Sequence, residues 1–271
     1  MYTCKEEMSE GIEEKNKRKN EVLMSREKFS QDIKARKLFA KACAEYGLLR
    51  DGDKVLVALS GGKDSLELVR LFARQNKILK PRIQVEVVHV IMRNIPYKTD
   101  ENYISSFCEE LELPLHIIYT SFDDETETKK PKCFLCSWYR RKAIFNYAQQ
   151  NGFNKIALGH HQDDILTTLL MNMLYEGSIQ TMPPLLEMKH YPLTIIRPMC
   201  LIPESLIKEI AQIYKFKRQV TSCPYETTTK RQDVSDLLKQ LEEDNSEIRF
   251  SLWKSMENIR ENLLPRKLND E

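Results

Sequence analysis

Short, largely apolar runs alternate with longer amphipathic stretches through the middle of the chain. The runs predict five strands, at Val55–Leu59, Val85–Val90, Leu115–Tyr119, Lys155–Gly159 and Thr194–Arg197. Between them, apolar residues recur at helical spacing near residues 64–79, 100–111 and 137–150. Strands that alternate with helices indicate βαβ units and a parallel sheet covered by helices. The predicted fold class is therefore α/β, with a doubly wound, parallel, five-stranded sheet.

The two ends of the chain have a different pattern. Residues 1–27 are almost all polar or charged, which predicts a solvated tail or helix, and a basic arm that contacts nucleic acid is the alternative. Helical periodicity returns from Phe29 to Leu49 and again from Leu237 to Leu264. We expect an α/β catalytic domain at 28–220 and a C-terminal helical segment at 221–271, so both appendages of the sheet domain are helical.

Composition narrows the class of protein. Of the 271 residues, 41% are hydrophobic and 30% charged, which is enough for a core beneath a very polar surface. The net charge of +2 excludes a uniformly basic surface but allows local basic patches. No apolar run approaches the roughly 20 residues of a membrane span, and no apolar segment begins the chain, so we expect a cytoplasmic protein without a membrane partner. In that compartment, the seven cysteines favour metal or redox chemistry over disulfides.

A sharp turn follows the first predicted strand. Its residues are Ser60, Gly61, Gly62, Lys63, Asp64 and Ser65, and a helix begins there. Glycines allow backbone N–H groups to approach a ligand closely, and several such groups at a helix N-terminus form an anion site. The spacing differs from that of a Walker loop. The sequence therefore predicts a phosphate site of another type, the alternative being a tight turn without a ligand.

A second polar run, from Gly159 to Asp164, follows the fourth predicted strand. Adjacent carboxylates at Asp163 and Asp164 repel each other unless a cation lies between them, and Mg²⁺ binds carboxylates together with phosphate. A helix cap explains one of the two acids. His160 and His161 are neighbours whose side chains point in different directions, which argues against a shared zinc ion.

Three cysteines have a spacing or setting that suggests ligation. Cys133 and Cys136 lie three residues apart at a predicted helix start, where thiolates are favoured, and Cys223 precedes a proline. The spacing leaves a redox motif, a zinc site, an iron–sulfur site and ordinary thiols open. Three ligands would leave one metal position open. Cys43, Cys108 and Cys200 lie among apolar residues and are predicted to be structural.

Basic residues accompany these motifs and predict contact with RNA phosphates, although most charge clusters are only solvated surface. The candidates are Lys130, Lys132, Arg140, Arg141, Arg197 and Arg231. Aromatic residues near the cysteines, Trp138, Tyr139 and Tyr225, could stack a flipped base.

Taken together, these motifs resemble the TtcA family of tRNA thiolases, within the PP-loop ATP pyrophosphatases. The resemblance rests on the Ser60–Ser65 loop, the two cysteine motifs, the Gly159–Asp164 run, Met182-Pro183-Pro184 and Ile196-Arg197-Pro198, and it extends from about Ser25 to Pro265. It implies the doubly wound PP-loop fold. It also implies an ATP-dependent tRNA sulfurtransferase, whose best-known relative makes 2-thiocytidine. The C2 oxygen of a pyrimidine attacks the ATP α-phosphate, and sulfur then replaces the adenylated oxygen.

The resemblance also implies cofactors and residue roles. Cys133, Cys136 and Cys223 match the ligands of a [4Fe-4S] cluster, and Asp64 and Asp164 match the catalytic and Mg²⁺–ATP acidic positions. Lys63 and Arg140 match cationic positions at the reaction centre. The implied ATP-binding residues are Ala58, Leu59, Ser60, Gly61, Gly62, Lys63, Asp64, Ser65, His89, Val90, Gly159, His160 and Asp164.

Partners follow from the same resemblance: tRNA, a sulfide or persulfide donor such as a cysteine desulfurase, and a second copy of the chain as a homodimer. Two features depart from relatives. Many bacterial members carry a second cysteine after the third ligand, whereas Pro224-Tyr225-Glu226 follows Cys223 here, and the zinc fingers of the related 2-thiouridine enzymes are absent. The alternative functions are a PP-loop ligase and a thiolase of a small molecule. The modified base and tRNA position are left open.

Overall fold

The computed structural model describes residues 28–95, 99–122, 131–217 and 230–265. Within them, six strands form one sheet: β1 Lys54–Ala58, β2 Gln84–Met92, β3 Leu115–Thr120, β4 Lys155–Ala157, β5 Leu185–Glu187 and β6 Thr194–Ile196. A first helix, α1, covers 28–45. The other α-helices are α2 Lys63–Gln75, α3 Glu101–Glu110, α4 Lys132–Gln150, α5 Gln162–Met171, α6 Glu204–Ile213, α7 Lys230–Asp244 and α8 Ile248–Glu257. A π-helical turn, Asn172–Glu176, follows α5, and a 3-10 turn, Glu261–Leu263, follows α8.

The sheet runs in the order β3-β2-β1-β4-β6-β5, and every pair except β5–β6 is parallel. The chain leaves β1 towards β2 and later returns to β4 on its other side. The carboxyl ends of β1 and β4 therefore border the crevice at a topological switch point, where doubly wound sheets bind ligands. The predicted α/β class and all five predicted strands are confirmed.

The sixth strand, β5, is an antiparallel edge strand that the sequence pattern does not indicate. It is three residues long, and Leu185 pairs with Ile196. Leu186 is exposed, so the segment has no inward apolar run. Its existence depends on pairing with β6 rather than on its own residues.

Burial explains why these elements form. The side chains of Val55, Leu56 and Val57 are fully buried, because helices cover both faces of the central strand. Phe72 on α2 is also fully buried and meets Phe39 of α1 edge to face, with ring centroids 5.4 Å apart. Across the sheet, Phe145 of α4 packs in a cluster with Leu56 and Ile156.

The chain divides into two compact units. The first comprises residues 1–162 and 184–226, and the second comprises residues 163–183 and 227–271. The second unit therefore takes a segment from within the chain. The division of the sequence at about residues 27 and 220 stays a prediction. None of the helices in the described ranges is both long and apolar enough to traverse a bilayer.

Three thiols predicted to be structural lie among apolar side chains. Cys108 and Cys200 are fully buried and Cys43 is partly so. Burial raises the pKa of each thiol to about 12, so all three are protonated at neutral pH. The interval 1–27, Lys130, Cys223 and Tyr225 lie outside the described residues.

Candidate active site

The turn between β1 and α2 is organised by the Ser65 hydroxyl. Ser65 Oγ accepts hydrogen bonds from the amides of Ser60 (3.1 Å) and Gly61 (3.2 Å), lies 3.0 Å from Ser60 Oγ and donates to the Gly62 carbonyl (2.9 Å). Gly61 has a φ of 89°, a conformation that glycine adopts without strain. These contacts hold the turn together from inside. Ser65, predicted as an ATP ligand, thus shapes the loop with its own hydroxyl.

The first turn of α2 supplies the donors for an anion. Gly62 is the N-cap residue, and the first helical bond runs from the Leu66 amide to the Gly62 carbonyl (3.0 Å). The amides of Lys63, Asp64 and Ser65 therefore have no carbonyl four residues earlier within the helix. With the positive end of the helix dipole, they form a site for phosphate oxygens at the carboxyl end of β1.

Lys63 stands at this helix start within a chain of ion pairs. Its Nζ lies 3.0 Å from Asp64 Oδ1 and 2.9 Å from Glu204 Oε1, and Lys208 binds the other Glu204 oxygen at 2.8 Å. Burial alone would raise the pKa of Glu204, but the bonds from Lys208 and Lys63 lower it to about 2. Burial likewise disfavours the Lys63 cation, yet Glu204 and Asp64 raise its pKa above the usual value. Lys63 is therefore charged and held in place.

Strand β2 places His89 beside the same turn. Its Nδ1 lies 2.7 Å from the Leu59 carbonyl, and the Leu59 amide donates to the Val88 carbonyl at 2.9 Å. His89 is 3% exposed, and burial lowers its pKa, so the ring is neutral at pH 7. Since Nδ1 donates to the carbonyl, Nε2 is an acceptor, and it is buried without a hydrogen bond to the described residues. The Val90 side chain is buried in the core, and both backbone polar groups of Leu59 are already bonded.

The loop after β4 approaches α2 closely. A Cβ atom at Gly159 would lie 3.3 Å from the Asp64 carbonyl carbon and the Ser65 amide nitrogen, so only glycine fits there without displacement. His161 Nε2 lies 3.7 Å from Asp64 Oδ1. His160 accepts a hydrogen bond at Nδ1 from Arg197 Nε, at 3.2 Å. Its contact with ATP stays a prediction.

Helix α4 begins with the two cysteines. Cys133 is exposed, whereas Cys136 is half-buried and packs against Met92, Ile95 and Phe122. Met92 ends β2, so this helix start is anchored at the carboxyl edge of the sheet, as is the β1–α2 turn. A helix N-terminus favours thiolates, which are the ligands of iron–sulfur clusters, and the assignment of Cys133 and Cys136 to a cluster stays a prediction. The described residues contain no group of three or more potential metal ligands.

Comparison with known proteins identifies the family of the chain that has this turn and this pair of cysteines. The model of the PP-loop domain matches residues 28–222. A tRNA-cytidine(32) 2-sulfurtransferase of Bdellovibrio bacteriovorus is 33% identical over 243 residues, which cover 88% of this chain and 92% of the relative. That of Stenotrophomonas maltophilia is 34% identical over 81% of this chain and 73% of the relative. The chain belongs to the tRNA-cytidine(32) 2-sulfurtransferase family of PP-loop proteins.

A solved structure has the same fold as this sulfurtransferase family member. The U34-tRNA thiolase NcsA from Methanococcus maripaludis, solved with its [4Fe-4S] cluster, has a TM-score of 0.71 and 24% identity. The match covers 89% of this chain and 85% of that one. This likeness confirms the predicted PP-loop fold, and the curated relatives confirm the predicted tRNA thiolase family.

In this family member, Asp163 and Asp164 lie in the first turn of α5 and belong to the second unit. Arg231 Nη2 donates to Asp164 Oδ1 at 2.6 Å, and Arg249 Nη2 donates to Asp163 Oδ1 at 2.8 Å. In the structure, each of the two acids bonds to a different arginine, contributed by α7 or α8. The cation that the sequence predicts between them stays a prediction. The role of Asp164 in Mg²⁺ or ATP binding stays a prediction.

The basic residues predicted to bind RNA divide into three groups. Lys132 and Arg141 are exposed on α4, whereas Arg140 is half-buried there and its charge acts on His89. Arg197 is only 6% exposed and bonds to His160, so it is not part of an exposed basic surface. Arg231 bonds to Asp164. Among the described candidates, the exposed basic residues of α4 are therefore the best placed to contact RNA.

Two residues at the site carry no sequence signal that would have singled them out. Glu204 stands in the first turn of α6, where an acid is ordinary because it favours the helix dipole. Its contact with Lys63 spans more than a hundred positions of sequence. His161 differs from His160 only by its direction from the chain, which a motif does not specify.

Proposed function

We propose that this protein replaces the C2 oxygen of cytidine 32 in tRNA with sulfur, at the expense of ATP. The family supports the reaction class, and the relatives' printed names supply the base and the position. The observation that carries the proposal is that the anion-binding turn and the cysteine helix α4 meet at the same sheet edge. Cys136 packs on the end of β2, the strand whose His89 bonds to the turn.

The turn performs the activation step. The free amides of the first turn of α2 and the Lys63 ammonium bind the ATP phosphates and neutralise the charge that develops as pyrophosphate leaves. The cytidine O2 attacks the α-phosphorus, which forms the O–P bond and breaks the bond to pyrophosphate. The buried Nε2 of neutral His89 is positioned to accept a hydrogen bond, such as one from an amino group of a base.

Sulfur then attacks C2, and AMP leaves with the former cytidine oxygen. A [4Fe-4S] cluster held by Cys133, Cys136 and Cys223 would supply an iron position that binds sulfide. Cys133 is exposed and Cys136 is half-buried, so both thiols would be open to such a group from outside the core. Arg140, on the same helix and close enough for its charge to act on His89, binds phosphate or substrate.

Further features belong to the same proposal. Asp64 and Asp164 would each supply a carboxylate to Mg²⁺ or ATP, and Asp64 would then exchange part of its pairing with Lys63. Sulfide delivers the sulfur, either directly or after a thiol reductant releases it from the persulfide of a donor such as a cysteine desulfurase. The active species is a cytoplasmic homodimer. The catalytic domain extends over residues 28–220, and Cys223 belongs to the sequence that follows it.

The test uses the full chain, reconstituted anaerobically with iron and sulfide and incubated with ATP and a tRNA transcript. We expect 2-thiocytidine at position 32, with one AMP and one pyrophosphate per thiolated base. A transcript with uridine at position 32 should give no 2-thiocytidine. Thiolation elsewhere, or ATP cleavage without thiolation of any tRNA, would contradict the proposal.

Matched variants separate chemistry from folding. Lys63→Ala should abolish AMP release, whereas Lys208→Ala, which removes the other partner of Glu204, should retain it. Cys133→Ser should lose cluster absorbance and thiolation, whereas Cys43→Ala should keep both because Cys43 lies on α1. Full activity in Cys133→Ser would favour a PP-loop ligase instead.

A further inference from the structure

Helix α4 exposes a row of two aromatic residues and a lysine directly beside the first cysteine. Phe134, Trp138 and Lys142 are spaced four residues apart and are all exposed, so they form one line along the helix surface. We call these three residues the α4 aromatic row. A second exposed row, Cys133, Ser137 and Arg141, runs alongside it. Because four residues advance a helix by about 6 Å, Trp138 stands roughly one turn from the cysteine end.

The indole of Trp138 is held in a defined orientation although 43% of the residue is exposed. The Tyr139 ring meets it edge to face, with centroids 4.8 Å apart, and Lys142 Nζ lies 4.9 Å from the indole centroid. Tyr139 is itself packed against the cluster of Leu135 and Phe122. The exposed ring is therefore supported from the core, as a stacking surface has to be.

The charge of α4 indicates what binds to this row. Residues 132–150 include Lys132, Arg140, Arg141 and Lys142 and contain neither aspartate nor glutamate. An exposed aromatic ring among cations suits an unpaired base flanked by phosphates, since every base has a face that stacks and every nucleotide carries a negative charge. An acidic protein would match the charge but would not need a supported, planar face.

We propose that the α4 aromatic row is a stacking platform for an unpaired tRNA base next to the nucleotide being thiolated, with Trp138 as the contact residue. This inference rests on the proposed tRNA thiolation and adds the residue that positions the loop. Of the three aromatic candidates in the sequence, Trp138 is exposed, Tyr139 is packed against the core, and Tyr225 lies outside the described residues. Lys142 binds an adjacent phosphate as the base covers the indole.

The two tryptophans of the chain make this testable by fluorescence. Trp253 is only 8% exposed, so acrylamide should quench Trp138 selectively. We expect tRNA to protect the fluorescence of wild type and Trp253→Phe from acrylamide. The remaining fluorescence of Trp138→Phe should show no such protection. Protection by an added cysteine desulfurase and none by tRNA would assign this face to a protein and overturn the proposal.

Affinity gives the second readout. Trp138→Ala should weaken tRNA binding between about fivefold and about a hundredfold, the range for loss of one base–aromatic stack, whereas Trp138→Phe should recover most of it. ATP binding and cluster absorbance should be unchanged in both variants, which also shows that they fold. Wild-type affinity in Trp138→Ala would overturn the platform while leaving thiolation intact. Failure of the wild-type chain to bind tRNA would overturn both proposals.

Discussion

At the scale of single residues, the site depends on side chains that hold other groups in place. Ser65 orients the turn, Glu204 holds Lys63, and Arg197 holds His160. None of these functions requires contact with substrate. Their effect is on geometry, and small displacements of a reacting group reduce rates strongly.

Glu204→Gln should therefore reduce ATP-dependent AMP release by about tenfold or more, because Lys63 loses its carboxylate partner on α6 and its fixed position. Steady-state kinetics measure this. Lys208→Ala, which removes only the outer neighbour of Glu204, should stay within about twofold of wild type. Equal losses in the two variants would indicate a general effect of α6 instead.

A second residue-scale prediction concerns Glu67, which is fully buried on α2 and receives a hydrogen bond from Arg70. Burial raises its pKa from 4.5 to about 7, so the folded state binds this proton more tightly than the unfolded state does. Its contribution to stability therefore falls as pH rises from about 4.5 through 7. In thermal denaturation, the melting temperature of Glu67→Gln should rise relative to that of wild type between pH 5 and pH 8. The control variant Glu109→Gln, at an exposed position, should show the same pH dependence of melting temperature as wild type. The same pH dependence in Glu67→Gln would refute this interpretation.

At the scale of elements, a buried polar cluster joins α1 to α2 and to the end of α6. Asp32 accepts hydrogen bonds from Arg70 (2.9 Å), Arg74 (2.7 Å) and the Tyr214 hydroxyl. The Arg70 guanidinium lies 3.4 Å from the Tyr214 ring centroid. Burial would raise the pKa of Asp32, but these donors lower it overall. These contacts thus fix α2, the helix that carries the anion site, against α1 and the end of α6.

Asp32→Asn should destabilise the fold by about 3 kcal/mol, because it removes the carboxylate that the buried Arg70 shares with Arg74. Urea denaturation measures the change. Lys41→Ala, which removes an exposed ion pair with Glu45, should cost less than about 1 kcal/mol. Similar losses in the two variants would show that the cluster contributes no more than a surface pair.

At the scale of the whole chain, the sequence predicts what depends on neighbouring residues and misses what depends on distant ones. The parallel strands, the anion-binding turn and the cysteine pair at a helix start are all local patterns, and the structure has each of them. Strand β5 forms only by pairing with β6. The arginine partners of Asp163 and Asp164 come from α7 and α8, and Arg197 is buried by contacts that its local motif does not specify.

The central claim is tested most directly by mass spectrometry of tRNA nucleosides from cells that lack this gene. Position-resolved fragments should show unmodified cytidine at position 32, and the wild-type gene should restore 2-thiocytidine there, whereas the Lys63→Ala and Cys133→Ser variants should not. Unchanged 2-thiocytidine in the deletion strain, or restoration by Lys63→Ala, would contradict the account.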